Sequence, residues 1–373
     1  MALIISEEQQ MLKSSAREFL KEKGSVEKLR KLRDSKDAQG YDKNLWKQMA
    51  EMGWASLNIP EAYGGLDFGY TGLGQVLEET GRMLTASPLV STVLMSATAI
   101  NLGGSEKQKE ELLSQIAAGS LVVAFAFEEG NHHNPRTIEM TADKAADGYT
   151  LTGTKTFVLD GHIADKFIVA AKTTNGPELF VVDANAKGVT AVREIYMDSR
   201  NVATVNFDKV IVSSAVILNE YENGKALLNR TLDIARVGLA AEMLGGCQEA
   251  FDRTLAYLKE REQFGVRIGT FQALQHRAAQ MFCEIEMCKS IVIKALEAID
   301  ENSKELPMLA SLAKAKVGQT YQLVSNEGVQ LFGGIGMTDD EEIGFFMKRA
   351  RVAQRTLGDA NFHLDRLAKM RGY

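Results

Sequence analysis

Cysteine, proline and tryptophan are scarce in this chain, with three, five and two copies among 373 residues. The cysteines, Cys247, Cys283 and Cys288, fall in helical stretches and form neither a CxxC nor a Cys/His set with metal-ligand spacing. A disulfide-stapled scaffold is thereby excluded, and free core thiols in a reducing compartment are expected. Long apolar runs are also missing: no stretch approaches the roughly 20 apolar residues of a membrane span. The opening residues, Met1 to Glu8, offer neither a basic n-region nor a sufficient apolar h-region, so a cytoplasmic protein without a membrane span is expected. Excess basic charge is absent too. A net charge of −6 gives no general attraction to polyanions and argues against nucleic acid as the main partner, although local basic patches can still hold phosphate.

What is present is enough chain for two or three packed units with a large core. Residues 1–119 read as helical, with Ser6 a plausible N-cap ahead of Glu7 and Glu8, and amphipathic stretches at Asp42 to Met49 and Thr71 to Arg82. Residues 120–218 change character: they are β-branched, short in period and broken by turn signals. Tyr149 to Leu159 reads as two strands around a turn at Gly153, with further strands at Phe167 to Ala171, Leu179 to Val182 and Thr204 to Phe207. From residue 219 to 373 the helical period returns, and runs with few Gly or Pro, such as Leu309 to Gln330, predict a bundle of four or five long helices. The fold class is therefore α+β, with an N-terminal helical domain, a central β-barrel-like domain and a C-terminal helical bundle.

One segment breaks the helical pattern of the last region. Arg261-Glu262-Gln263-Phe264-Gly265-Val266-Arg267-Ile268-Gly269-Thr270-Phe271-Gln272-Ala273-Leu274-Gln275-His276 sets an arginine, an aromatic ring and Gln amides between two helical stretches. From the residues alone it is either a polar connection between antiparallel helices or a grip for a phosphate and a flat polar heterocycle. No Walker loop and no G-x-G-x-x-G fingerprint occurs, so nicotinamide binding has no support.

This segment resembles the flavin-binding signature of the acyl-CoA dehydrogenase family, and the resemblance runs over almost the whole chain. Ile5 to Leu12 with Ala16 to Leu20 is similar to that family's first helix. Met52-Gly53-Trp54 with Ile59 to Leu66 is similar to its "GW…PEEYGG" segment, and Gln330-Leu331-Phe332-Gly333-Gly334-Ile335-Gly336 to its second FAD-contacting motif. The resemblance implies FAD as cofactor. Arg261 would hold the phosphates, Phe264 would pack beside the adenine, and Gln272 would reach the adenosine-phosphate side. Gln330 with Gly333 and Gly334 would come from a neighbouring subunit. Phe127, in the loop that replaces the family's "TEPGAGSD", and Phe157, where a Trp usually covers the flavin, would stand at the flavin face, while Leu159 replaces a Thr that usually bonds its N5 edge. Asn131-His132-His133-Asn134-Pro135 departs from the family pattern. Adjacent histidines rarely point to one ion and no carboxylate stands at the usual spacing, so no metal site is expected.

The family's chemistry needs a carboxylate to take the proton α to a CoA thioester. Its usual Glu aligns with Leu357 in Arg355-Thr356-Leu357-Gly358-Asp359. In another branch the Glu precedes an Arg that matches Arg236, expected on the substrate side, and that preceding residue is Ala235. Two substitutes remain. Glu242 lies seven residues after Ala235 on the same helical face, about 10 Å along the axis, and is otherwise a solvated or Arg-paired acid. Asp359 lies two residues from the usual place and otherwise caps the last helix. The leading expectation is FAD-dependent α,β-dehydrogenation of an acyl-CoA, with electrons passed to an electron-transfer flavoprotein, in a homo-oligomer, a tetramer as dimer of dimers, or a heterotetramer. Two alternatives stay open: a base-lacking or half-site subunit of a hetero-oligomeric dehydrogenase, and an oxidase or monooxygenase on the same fold. The "AAEMLGG" and "LGDANFH" segments look more like bacterial relatives of steroid side-chain degradation than like straight-chain fatty-acid enzymes.

Overall fold

The computed structural model describes residues 5–373; Met1 to Ile4, half of the stretch read for a targeting signal, lie outside the described residues. The described residues pack as two units, one of residues 5–31, 70–85 and 236–373 and one of residues 32–69 and 86–235.

The first unit is helical. Helix α1 (Glu7–Lys23) starts where the sequence predicts: Ser6 Oγ accepts from the Gln9 amide, and the Gln9 side chain accepts from the Ser6 amide. Two donors that the first turn leaves orphaned are thereby satisfied. Arg17 of α1 donates to both carboxylate oxygens of Glu79, at 3.0 and 2.8 Å. Glu79 is fully buried on α4 (Gly69–Met83), so the bidentate geometry compensates its desolvation.

Helix α7 (Gly224–Glu260) crosses α4 at two glycines. A Cβ on Gly81 would meet the Glu242 carbonyl oxygen at 1.9 Å, and one on Gly245 would meet the Glu78 carbonyl oxygen at 1.7 Å. Backbone packs on backbone here, and the small-residue run around Glu242 is explained by that approach. Helix α8 (Gln272–Asp300) follows a short hairpin. Helix α9 (Leu306–Phe332) is buried along nearly its whole length and has Pro307 in its first turn, where the missing N–H costs nothing. Helices α10 (Ile343–Arg355) and α11 (Ala360–Met370) complete the bundle. Cys247 and Cys288 are buried thiols, whereas Cys283 is exposed, which corrects the expectation of three core cysteines. It lies on a solvent-facing stripe of α8 beside Phe282, so helical position alone did not make it a core residue.

The second unit is built on a seven-stranded sheet of β1 (Val123–Ala126), β2 (Thr141–Ala145), β3 (Gly148–Leu159), β4 (Lys166–Thr173), β5 (Gly176–Asp183), β6 (Val189–Ile195) and β7 (Asn201–Ser213). The order is β1-β4-β2-β3-β7-β6, with β5 paired to β4. It curls around an apolar core of Ala124, Leu151, Phe167, Phe180, Val205 and Phe207. Gly153 is not a turn between two strands. β3 runs through it as one strand, with a register shift between Leu151 and Gly153 against β7. Gly153 has φ +152°, a conformation that absorbs the bulge and lets the strand continue. In the same unit α3 (Lys43–Glu51) is capped by Asp42, and α6 (Glu106–Ala117) by a Ser105–Gln108 capping box. A nine-residue π-helix (Leu89–Ala97) leads into α5 (Thr98–Gly103). Its hydroxyls turn inward, with Thr92 and Ser96 both donating to the Val123 carbonyl.

Candidate active site

The Arg261 segment is a hairpin. β8 (Glu262–Gln263) pairs with β9 (Val266–Arg267) across a two-residue turn, and the Ile268 amide donates to the Arg261 carbonyl at 2.8 Å. Both turn residues have positive φ, +56° at Phe264 and +80° at Gly265, as the right-handed twist of a tight hairpin demands. For a phenylalanine that conformation is uncommon. Its ring is 90% exposed and touches the ring of Phe271, at 6.2 Å between centroids. A large apolar side chain held in a strained turn and turned to solvent is what a ligand-contacting tip requires.

Three polar side chains of this unit are uncommitted. Among the described residues neither the Arg261 guanidinium nor the side-chain amides of Gln272 and Gln330 has a protein partner, and all three are exposed. Helix α8 starts at Gln272 without a side-chain cap, so its first amides remain donors beside the arginine. The end of α9 is tied to the end of α7: Tyr257 stacks on Phe332 at 4.3 Å, and its hydroxyl donates to the Phe332 carbonyl at 3.2 Å. Gln330 and Gly333 therefore sit on a helix end clamped one turn before Arg261. A Cβ at Gly333 or Gly334 would meet nothing within 4 Å, so the backbone there stays open to close approach. A cation, free amides, an exposed ring and bare backbone match the pyrophosphate and adenosine end of FAD.

In the same unit, the loop between α10 and α11 carries no acid where the usual base would stand. Leu357 is 3% exposed with φ +61°, an apolar side chain held in the left-handed region. Its carbonyl accepts from Arg236 Nε at 3.3 Å and contacts the buried His363 ring at Nε2, 3.1 Å away. Lys314, fully buried on α9, donates to the carbonyls of Ala353, Gln354 and Gly358 at 3.0, 3.1 and 3.0 Å. Burial, and secondarily Arg236, push its ammonium down to about 7, with Asp359 acting in the opposite sense. Arg236 also lies over the Phe362 ring, 5.6 Å from its centroid. The loop is thus fixed by three basic side chains acting on backbone oxygens. Ala235 is buried as well.

The two substitute acids have other attachments. Asp359 caps α11, its carboxylate accepting from the Phe362 amide at 2.9 Å. Glu242 is buried and its Oε1 accepts from the equally buried Arg349 at 3.1 Å. The Arg-paired alternative therefore holds, although Arg349 lies 107 residues away and the sequence does not single it out.

In the second unit the loop after β1 and the end of β3 are joined. The Thr156 amide donates to the Glu128 carbonyl at 2.9 Å, which sets Phe127–Glu128 beside Thr156–Phe157. Phe157 has φ +54°, is 37% exposed and packs against Tyr196, at 6.0 Å between centroids. Phe127 is mostly buried, with the His133 ring edge-on to it at 5.9 Å. His133 Nδ1 contacts the Glu128 carboxylate; this side chain, unlike the backbone spacing, supplies the histidine with an acid. Behind it, Lys155 is buried and paired with Glu129 at 2.6 Å, and Glu129 also accepts from the amides of Glu139 and Met140. Burial lowers Lys155 to about 8, with Glu129 opposing the shift. Burial also raises the Tyr196 phenol, reinforced by Glu194, Asp198 and Glu128. The contacts of Lys314, His363, Arg349 and the Glu128–His133 pair escaped sequence reasoning, and the unusual histidine pair was the signal for the last of them.

The chain matches sequence profiles over three consecutive stretches: "Acyl-CoA dehydrogenase, N-terminal domain" at residues 6–120, "middle domain" at 124–210 and "C-terminal domain" at 222–371. It is 30% identical to "Acyl-CoA dehydrogenase IpdE2" of Mycolicibacterium smegmatis, covering 97% of this chain and 98% of that protein. It is 29% identical to "Caffeyl-CoA reductase-Etf complex subunit CarC" of Acetobacterium woodii, covering 94% of each. Among solved structures, the Tcur3481-Tcur3483 steroid ACAD superposes with a TM-score of 0.90 at 32% identity, over 98% of each chain.

Proposed function

Because the chain belongs to the acyl-CoA dehydrogenase family, whose members bind FAD and oxidise the CH–CH bond of acyl-CoA thioesters, we propose that it works as one subunit of a heteromeric dehydrogenase whose α-proton base lies on a different chain. The observation that carries this reading is the pair of buried apolar residues at the two usual base positions, Leu357 and Ala235, with both nearby acids attached elsewhere. A carboxylate already holding a helix N-terminus or a buried arginine loses that interaction if it takes a proton. Two similar proteins support the reading: the steroid ACAD Tcur3481-Tcur3483 is named for two components, and CarC is named as a subunit of a complex with Etf. Electron-transfer flavoprotein as acceptor, and a steroid-derived or branched acyl-CoA as substrate, belong to the same proposal.

The chain's own residues have defined tasks in it. Arg261, Gln272 and the open α8 N-terminus hold the phosphates, Phe264 covers the adenine, and Gln330 with Gly333 and Gly334 lets backbone approach the FAD of a neighbouring subunit. Phe127 and Phe157 flank the ring. The bound FAD supplies the two-electron acceptor. Arg236 stands on the substrate side, where its guanidinium and Lys314 keep the Leu357–Gly358 backbone in one conformation. Neither Glu242 nor Asp359 moves a proton in this reading.

The test is anaerobic flavin bleaching with short, branched and steroid-derived acyl-CoAs, using the chain alone and the chain coexpressed with a base-bearing homologue. Bleaching confined to the coexpressed complex is expected. Full bleaching by the chain alone, lost in Glu242→Gln or Asp359→Asn, would overturn the heteromeric reading and return the base to this chain.

A further inference from the structure

The Glu128–His133 pair has no part in the tasks above, and the loop does not depend on it for its anchorage. Glu129 already ties the loop to β3 through Lys155 and to its own return through the Glu139 and Met140 amides, at 2.6 and 2.9 Å. What the pair adds is a titratable imidazole kept against a carboxylate. The side chains are 6% and 12% exposed, and the imidazole abuts the ring of Phe127.

We propose that the Glu128–His133 pair is a charge-setting site for the FAD ring, coupling the ease of flavin reduction to pH. This rests on the reading that Phe127 and Phe157 flank that ring.

The argument is electrostatic. A protonated His133 and an ionised Glu128 sum to zero charge, and loss of the imidazole proton leaves one negative charge in a poorly solvated place. Reduction makes the flavin ring more negative, so a new negative neighbour disfavours it, by an amount that burial enlarges. Other charges act near the pair: Lys155 on β3 feels both Glu129 and Glu128, and the Tyr196 phenol, after β6, feels Glu128 together with Glu194, Asp198 and Arg200. Lys155, at about 8, and Lys314, at about 7, lose protons over the upper part of the range from pH 5.5 to 7.5, so the comparison with His133→Gln, which keeps both lysines, isolates the histidine.

The experiment is spectroelectrochemical titration of the FAD-loaded chain, in its complex if it copurifies with one, from pH 5.5 to 7.5. The wild-type midpoint potential is expected to fall more steeply with pH than that of His133→Gln. The wild-type advantage should be about tenfold in the oxidised-to-reduced ratio, about 30 mV for a two-electron couple, at the acid end and should vanish toward pH 7.5, where both proteins carry only the Glu128 charge. Glu128→Gln should move the steep region to lower pH, because the imidazolium loses its partner. His133→Arg, which keeps the positive charge, should remove the extra slope while holding the potential high. A parallel measurement serves if a variant fails to fold: NMR titration of the wild-type histidines, in which the His133 midpoint must rise when bound FAD is reduced. Parallel potential curves in all proteins, or an unmoved midpoint, would overturn the proposal while leaving FAD binding intact. Absence of FAD binding under all conditions would overturn the underlying reading and the proposal with it.

Discussion

Lys314 donates its ammonium protons to the Gly358 carbonyl at 3.0 Å, across 44 residues of sequence, and so holds the loop that in this chain bears Leu357 in place of an acid. Two further carbonyls, of Ala353 and Gln354, accept from the same nitrogen at the C-terminal end of α10. An ammonium there also complements the negative end of the helix dipole.

The pH dependence of stability follows with a definite sign. Lys314, at about 7, and Lys155, at about 8, are both below the 10.5 of a free lysine. The unfolded chain therefore binds more protons than the folded one between those values. Stability should rise as pH increases from about 7 toward 10, by at most about 1.4 kcal/mol per unit for each group. Urea midpoints from pH 6.5 to 9.5 measure this, and Lys314→Met should flatten the curve above pH 7. A wild-type midpoint that falls over this range would contradict the assignment.

Leu357→Glu tests whether the loop still presents its side chain productively. The new carboxylate would stand at a rigid position beside Arg236 and Lys314, whose charges offset part of its desolvation. Flavin bleaching by the variant chain alone should exceed that of the wild type by at least tenfold. An unchanged rate in a folded, FAD-loaded variant would show that the position has lost its access to substrate.

Two helix glycines, Gly245 at the α4–α7 crossing and Gly318 on α9, give opposite predictions. Gly245→Ala drives a methyl into the Glu78 carbonyl, 1.7 Å from the new carbon, and backbone cannot yield cheaply on both helices. Loss of several kcal/mol, or of soluble protein, is expected. Gly318→Ala on α9 meets only Gln354 and Met243 side-chain atoms at 3.6 and 3.7 Å. Relief of helix-interior glycine entropy should raise its stability by about 0.5–1 kcal/mol. Thermal unfolding of both variants decides.

Arg261→Ala should weaken FAD binding about tenfold or more, the magnitude of a charge-assisted hydrogen bond to phosphate. Because the guanidinium has no protein partner among the described residues, the melting temperature of the FAD-free chain should stay within about 1 °C of wild type. Fluorescence titration with FAD beside a melt of the apoprotein separates the two effects.

The parts of this molecule that a sequence reader finds are those written in local chemistry. Ser6 with Gln9 spells a capping box over four residues, Asp359 stands one residue before its helix, and Phe264-Gly265 sits between residues able to pair. The order of helices, sheet and helices is equally visible, because the change in period is long and abrupt. β2 escaped because Thr141 to Ala145 is largely exposed and polar, so no alternation marks it. Gly153 was misread because a bulge and a turn use the same residue. Glu242–Arg349 and Lys314–Gly358 join helices far apart in the chain; only packing brings them together, and an isolated acid or lysine in a helical run looks the same buried or solvated. His132-His133 stood out in the sequence, but the carboxylate that His133 contacts, Glu128, lies five residues upstream and was not read as its partner.

The hairpin tip has a consequence for the life of the chain before its cofactor arrives. Phe264, with Phe271 beside it, stands out from the bundle as an oily, sharply bent point, without burial to protect the backbone that carries it. A newly made chain in that state offers chaperones a handle, proteases a cleavage point and other chains a place to stick. On the proposed reading, FAD bound over this tip would remove those liabilities, so flavin supply would set how much of the protein survives as well as how much is active.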